Sequence, residues 1–210
     1  MRPGSGSGAV RRRALMGTVV VKIGGSLMRT DRAARLLAGL ADAGDRPVAI
    51  VPGGGAFADA VRLAQAGQRF SDTAAHRMAL LAMDMSAWML ADLAPALVVA
   101  GELREFRSAW SAGLTPVWAP AQMASIAADI PASWDVTSDS LAAWLTNVLR
   151  AEHLLVVKSC AVPEDHDHDA ATLARAGIVD ACFPRYVAGA NFTWRVVSGD
   201  AAALAALASA

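Results

Sequence analysis

Two short glycine runs carry the first chemical signal in this sequence. Lys22-Ile23-Gly24-Gly25-Ser26 places an ammonium one residue ahead of two glycines and a hydroxyl, and Gly53-Gly54-Gly55 follows at the end of the next apolar run. Small residues let backbone N–H groups come close to phosphate oxygens, and a helix starting after each turn adds its positive dipole end. Two such turns side by side suit a polyphosphate, with Lys22 as the stabilising charge. Neither turn has the Gly-x-x-x-x-Gly-Lys-Ser/Thr of a Walker loop or the Gly-x-Gly-x-x-Gly of a dinucleotide fold. The ordinary alternatives are turn glycines and a lysine that only reaches past its strand to solvent. The pairing of the two runs favours phosphate chemistry.

Those turns need elements to hold them. Residues 18–23 form a β-branched run ending in Gly-Gly, as expected of a strand buried on both faces of a parallel sheet. Ala34, Leu37, Leu40 and Ala41 then recur at helical spacing over 31–43. Residues 48–51 predict a second buried strand, and the triple glycine leads into a helix over 56–66. A longer helix, capped by Ser71 or Asp72, passes through Met78, Leu81, Met85 and Met89, with its methionines as core filling, and ends before Pro95. Strands at 97–99 and 115–118 flank a helix near 102–111, and Pro116 puts its strand at an edge or at its own beginning. Thr137 or Ser138 caps a helix running to about 150. Further on come a strand at 153–158, a helix near 170–176, a strand at 194–197 and an alanine-rich closing helix. Alternating strands and helices predict an α/β fold: a three-layer αβα sandwich around an open, mainly parallel sheet, with ligands at the carboxyl ends of its strands.

Bulk composition narrows the function by exclusion. The 210 residues balance 19 Lys plus Arg against 19 Asp plus Glu, so no global charge recruits nucleic acid or an anionic membrane. Apolar runs are interrupted well short of a membrane span. Cys160 and Cys182 follow neither a disulfide nor a zinc spacing, which places the chain in a reducing cytoplasm. Residues 1–16 read as a disordered tail with a short arginine run, and 17–210 as one domain. Glu164-Asp165-His166-Asp167-His168-Asp169 is rich in metal-ligand types but irregularly spaced. It reads as a solvated loop, so no protein metal site is assigned.

The segments VVVKIGGSL, IVPGGGAFAD and WDVTSDSLA resemble, in order and spacing, the phosphate loops and acidic helix start of the amino-acid-kinase superfamily. SDTAAHRMALLAMD, WDVTSDS, LLVVKS and GIVDACFPRY are most similar to its branch that makes a diphosphate in methanofuran synthesis, an aminomethyl-furanmethanol phosphate kinase. The resemblance implies ATP and Mg²⁺ as cofactors, a homo-oligomer, and transfer of the γ-phosphoryl group to 5-(aminomethyl)-3-furanmethanol phosphate. The chain departs from relatives after residue 158, where Cys160-Ala161-Val162-Pro163 replaces a Val-Asp-Gly-type segment on the adenine side. It also falls short of the length of relatives that carry a hairpin lid over the acceptor.

Residue roles follow from chemistry and resemblance together. Joining two phosphates demands positioning and positive charge rather than covalent help. Lys22 and Lys158 are the candidate charge stabilisers, and Asp139 is the carboxylate that holds a lysine in place. Gly24, Gly25, Ser26, Gly53, Gly54 and Gly55 are the candidate phosphate and nucleotide contacts. Asp72, His76 and Asp135 are the candidate acceptor residues, a carboxylate being suited to a substrate ammonium. Each has a plain alternative: Asp139 as a first-turn dipole residue, Lys158 turned away, His76 as a packed histidine. At the level of function the rivals are kinases for isopentenyl phosphate, a nucleoside monophosphate or an amino acid, and a non-catalytic subunit that stores or senses ATP or an oxyanion.

Overall fold

A computed structural model describes residues 17–29, 32–41, 46–162 and 169–199. The expected tail at 1–16, the closing alanine-rich helix and residues 164–168 of the acidic loop lie outside the described residues.

The β-branched runs form the strands their composition predicts: β1 (Val19–Ile23), β2 (Val48–Pro52), β3 (Leu97–Ala100), β4 (Thr115–Trp118), β5 (His153–Lys158) and β6 (Thr193–Ser198). They make one six-stranded open sheet in the order β3-β4-β2-β1-β5-β6, and every pairing is parallel. β4 is an interior strand, and Pro116 is tolerated as its second residue.

Period-two alternation gives the sheet two apolar faces. Val19, Val21 and Ile23 of β1 join one core cluster, with Leu155 and Val157 of β5. Val20 joins the other, with Leu154 and Val156. Helix α1 (Arg32–Ala41) covers the first face with Ala33, Leu36, Leu37 and Leu40. Ala34 is exposed, so the apolar stripe lies one residue from where the sequence spacing put it; alanine is too small to mark a face by itself. The second face is covered by α6 (Ser138–Leu149) through Leu141, Ala142 and Leu145, and by α8 (Phe183–Val187) through Phe183.

Helices α2 (Gly55–Gln68) and α3 (Asp72–Asp92) follow the second glycine run. Ser71 caps α3 by accepting from the Ala74 amide. The expectation that the α3 methionines fill the core holds for Met83 only, since Met78, Met85 and Met89 are exposed. Helix α4 (Leu103–Ser111) begins with a Glu102/Glu105 capping box. The short helices α5 (Ala121–Ala124) and α8 had no expected counterpart, whereas α7 (Ala170–Arg175) falls within its expected span and is capped by Asp169.

Candidate active site

From β1 the chain runs outward through β2 to the β3–β4 edge and then returns to β5 on the opposite flank of β1. In open parallel sheets such a reversal leaves a crevice beyond the carboxyl ends of the two diverging strands. Lys22 and Lys158 occupy those ends. The register pairs Lys22 with Val156, and Lys158 lies two residues beyond Val156, so both lysines project from the same face of the sheet.

That face meets the first turn of α6, where Asp139 receives both. Lys22 Nζ lies 2.7 Å from Asp139 Oδ1 and Lys158 Nζ 2.6 Å from Oδ2. Lys22 and Asp139 are each 3 % exposed, and the Lys158 side chain 13 %. Burial works against the Asp139 carboxylate, but the charges of the two lysines and their hydrogen bonds hold its pKa below the usual carboxylate value. Burial, with the Lys22 charge beside it, pushes the Lys158 ammonium down to about 8, against the opposing pull of Asp139 and Asp180. The chain has only two lysines against seventeen arginines, and both are here. A sequence that otherwise uses arginine retains the compact, titratable ammonium at this one place. That count is a signal the motif reading passed over.

The glycine turns abut one another. A Cβ on Gly25 would lie 2.6 Å from the Gly55 nitrogen, and one on Gly53 would lie 2.5 Å from the Gly25 nitrogen. Their small size is therefore needed for backbone-to-backbone packing of the two turns. The Gly24 amide donates to Val157 O at 3.0 Å and the Gly53 amide to Ile23 O at 2.9 Å, stitching the turns to β5 and β1. Gly55 adopts φ +52°, a left-handed conformation natural to glycine, and opens α2. The first N–H groups of α2 have no acceptor within the helix and stand free for an anion. The Ser26 and Ser159 hydroxyls share a hydrogen bond of 2.6 Å, which ties the first turn to the loop after β5.

A cleft of about 240 Å³ opens beside these turns. Gly25, Ser26, Gly53, Gly54 and Gly55 form one wall and Leu80, Met83, Val136 and Leu141 an apolar one. His76 also lines it, and burial, partly opposed by a hydrogen bond with the Ser133 backbone, holds its pKa below the usual histidine value. Asp72 and Asp135 do not line it. Asp72 accepts from Gln65 Nε2 at 2.8 Å, and Gln65 Oε1 accepts from Trp134 Nε1 at 2.6 Å. Asp72 thus buttresses a cleft-lining tryptophan from outside. Asp135 is exposed, and its backbone carbonyl accepts from Cys182 N.

Three polar or aromatic residues of the cleft were not singled out from sequence: Asp59, Arg62 and Trp134. The Arg62 guanidinium lies 4.2 Å from the centre of the Trp134 ring and 3.3 Å from Asp59 Oδ1. The signal for the first two was their i,i+3 spacing on the helix that follows the triple glycine.

Residues 17–161 match the amino acid kinase family model, and the chain belongs to that family of kinases. A uridylate kinase from Archaeoglobus fulgidus shares the fold with a TM-score of 0.68, at 16% identity over 91% of this chain and 95% of that one. A UMP kinase from Ureaplasma parvum gives 0.62 at 14% identity over 87% and 90% of the two chains. An isopentenyl phosphate kinase gives 0.59 at 13% identity over 91% and 96%. At these identities the likeness is one of fold. No curated protein sequence matches the chain.

Proposed function

We propose that this chain is an ATP-dependent kinase that transfers the γ-phosphoryl group to a phosphate monoester, with 5-(aminomethyl)-3-furanmethanol phosphate as acceptor, in cytoplasmic synthesis of a methanofuran-type one-carbon carrier. The observation that carries the reading is the convergence of Lys22 and Lys158 on Asp139 beside two interlocked glycine turns. An acceptor phosphate oxygen attacks the γ-phosphorus as its bond to the ADP oxygen breaks, and a diphosphate leaves with ADP. The lysines meet the charge that the phosphates bring together. An ionised acceptor needs no general base, so neutral His76 is free to act in packing and hydrogen bonding. Magnesium comes with ATP as the substrate complex. Among the described residues no group of three His, Cys, Asp or Glu side chains is set to hold a metal, and Mg²⁺ characteristically takes phosphate oxygens and waters.

The acceptor class is supported by the cleft. It is smaller than the roughly 300–1,000 Å³ typical of drug-sized ligands, which suits a small molecule. Arg62 suits its phosphate, Asp59 its ammonium, and Trp134 with the apolar wall its ring. The test offers MgATP with aminomethyl-furanmethanol phosphate, UMP, isopentenyl phosphate and a set of amino acids, followed by ³¹P NMR. New coupled diphosphate resonances with the furan acceptor support the proposal. Turnover confined to one of the other acceptors assigns a sister activity instead, and ATP binding without any turnover assigns a storage or sensing role.

The expected homo-oligomer is proposed through α3. Met78, Leu81, Met85, Trp88 and Met89 are exposed along one side of this helix, at spacings that form a continuous stripe. An antiparallel second copy crossing at Met85 sets Leu81 opposite Met89 and brings exposed Arg77 near exposed Asp92 of the other copy. Apolar and charged positions are both self-complementary, as a twofold interface requires.

A further inference from the structure

Helix α6 is capped from a distant part of the chain. Thr137 occupies its N-cap position, but the Thr137 side chain makes no cap bond of its own. The cap is Asp180. Its Oδ2 accepts from the Thr137 amide at 2.9 Å, the Thr137 hydroxyl at 2.8 Å and the Ser140 amide at 3.0 Å, and its Oδ1 accepts a short hydrogen bond from the Ser140 hydroxyl. The backbone N–H of Asp180 donates at 3.2 Å to Asp139 Oδ2, the same oxygen that receives Lys158. The residue is anchored in turn, because Phe183 N donates to its carbonyl at 3.2 Å and the Phe183 ring is fully buried.

We propose that Asp180 is a positioning residue for phosphoryl transfer, fixing the first turn of α6 and the Asp139 oxygen so that Lys158 is held charged and aimed at the phosphates. The inference rests on the kinase reading of the site. From sequence Thr137 or Ser138 reads as the cap, yet the carboxylate closing the helix comes from beyond β5 and brings a second negative charge to the lysine pair. Lys22, Lys158, Asp139 and Asp180 together sum to zero. The positive end of α6 is occupied by a protein carboxylate, which assigns incoming phosphates to the glycine turns and to α2. The charged groups facing Lys158 are Lys22 on β1, Asp139 on α6 and Asp180 before α8.

The experiment uses the full chain with ¹³C-labelled lysine, in which two side-chain signals are present and Lys158→Arg assigns them. In Asp180→Asn the shape and the backbone N–H remain while the charge is lost. The Lys158 titration midpoint is expected to fall by at least half a pH unit, and kcat for MgATP by tenfold or more. Ser140→Ala, which removes one cap bond and no charge, is expected to lower the melting temperature without moving that midpoint. Asp180→Glu is expected to restore the midpoint. An unmoved midpoint and an unchanged pH profile in Asp180→Asn, with only a lower melting temperature, overturn the proposal. If Asp180→Asn does not fold, Asp180→Glu decides: a wild-type midpoint with kcat reduced supports positioning, and wild-type kcat overturns it. Absence of wild-type turnover would refute the kinase reading, while the lysine titration would still report on Asp180.

Discussion

Lys22 and Lys158 share one carboxylate, but burial distinguishes them chemically. Lys22 lies deeper, at 3 % exposure, and its ammonium pairs with Asp139 Oδ1. Lys22→Ala, and Lys22→Arg as well, are expected to lower kcat by roughly 10²–10³-fold, the loss typical of one preorganised charge-stabilising group. The arginine variant fails because a planar fork does not fit a point-charge site. ADP release measured with a coupled assay checks both. Lys158 ionises near 8. Its ammonium is present below that pH and lost above it, so kcat/KM for MgATP is expected to decline above about pH 8 in wild type. Lys158→Arg, at a lower absolute rate, is expected to show no decline over the same range. A wild-type profile flat to pH 9.5 would contradict the role given to Lys158. Single residues of this kind were legible in sequence where they end a strand beside glycines. Asp180 was not, because its partners Thr137 and Ser140 lie far away in sequence and only the folded chain brings them together.

At the scale of elements, the strands and most helices were readable because β-branched runs and glycine punctuation mark them locally. What local pattern missed was which face of each helix is buried. Ala33 and Ala34 differ in exposure without differing in type, and the methionines of α3 are equally compatible with a core and with a surface stripe. Arg62 and Trp134 escaped notice for a related reason: their meeting joins α2 to the segment before α6. The glycine turns are the clearest case of an element whose chemistry was legible and whose mechanics were not. Gly25→Ala and Gly53→Ala are each expected to cost about 1–3 kcal/mol, the usual range for overpacking. The two sites abut, so the first methyl makes room for the second and the double variant is expected to lose less than the sum. Urea denaturation of the four proteins measures that coupling; strict additivity would mean that the turns yield independently.

The molecule as a whole combines a site at the carboxyl ends of β1 and β5 with an exposed stripe on α3, whose other side, through His76, Leu80 and Met83, lines the cleft beside the glycine turns. In the proposed reading, assembly and acceptor binding would share one helix. Sedimentation velocity is expected to give a dimer for wild type and a monomer for Met85→Asp, with a raised KM for the acceptor and little change in KM for ATP. A wild-type protein that sediments as a monomer at micromolar concentration would refute the α3 interface. No described helix is long and apolar enough to cross a membrane. The unequal use of the two basic side chains has a practical consequence of its own. With arginine everywhere else, the only lysine amines of the chain are the two at Asp139, and the more accessible of them is partly unprotonated at pH 8. An acylating reagent added in limiting amount should modify Lys158 ahead of Lys22, and saturating MgATP should shield it, so that an amine label read at Lys158, apart from the α-amine, becomes an occupancy probe for the nucleotide.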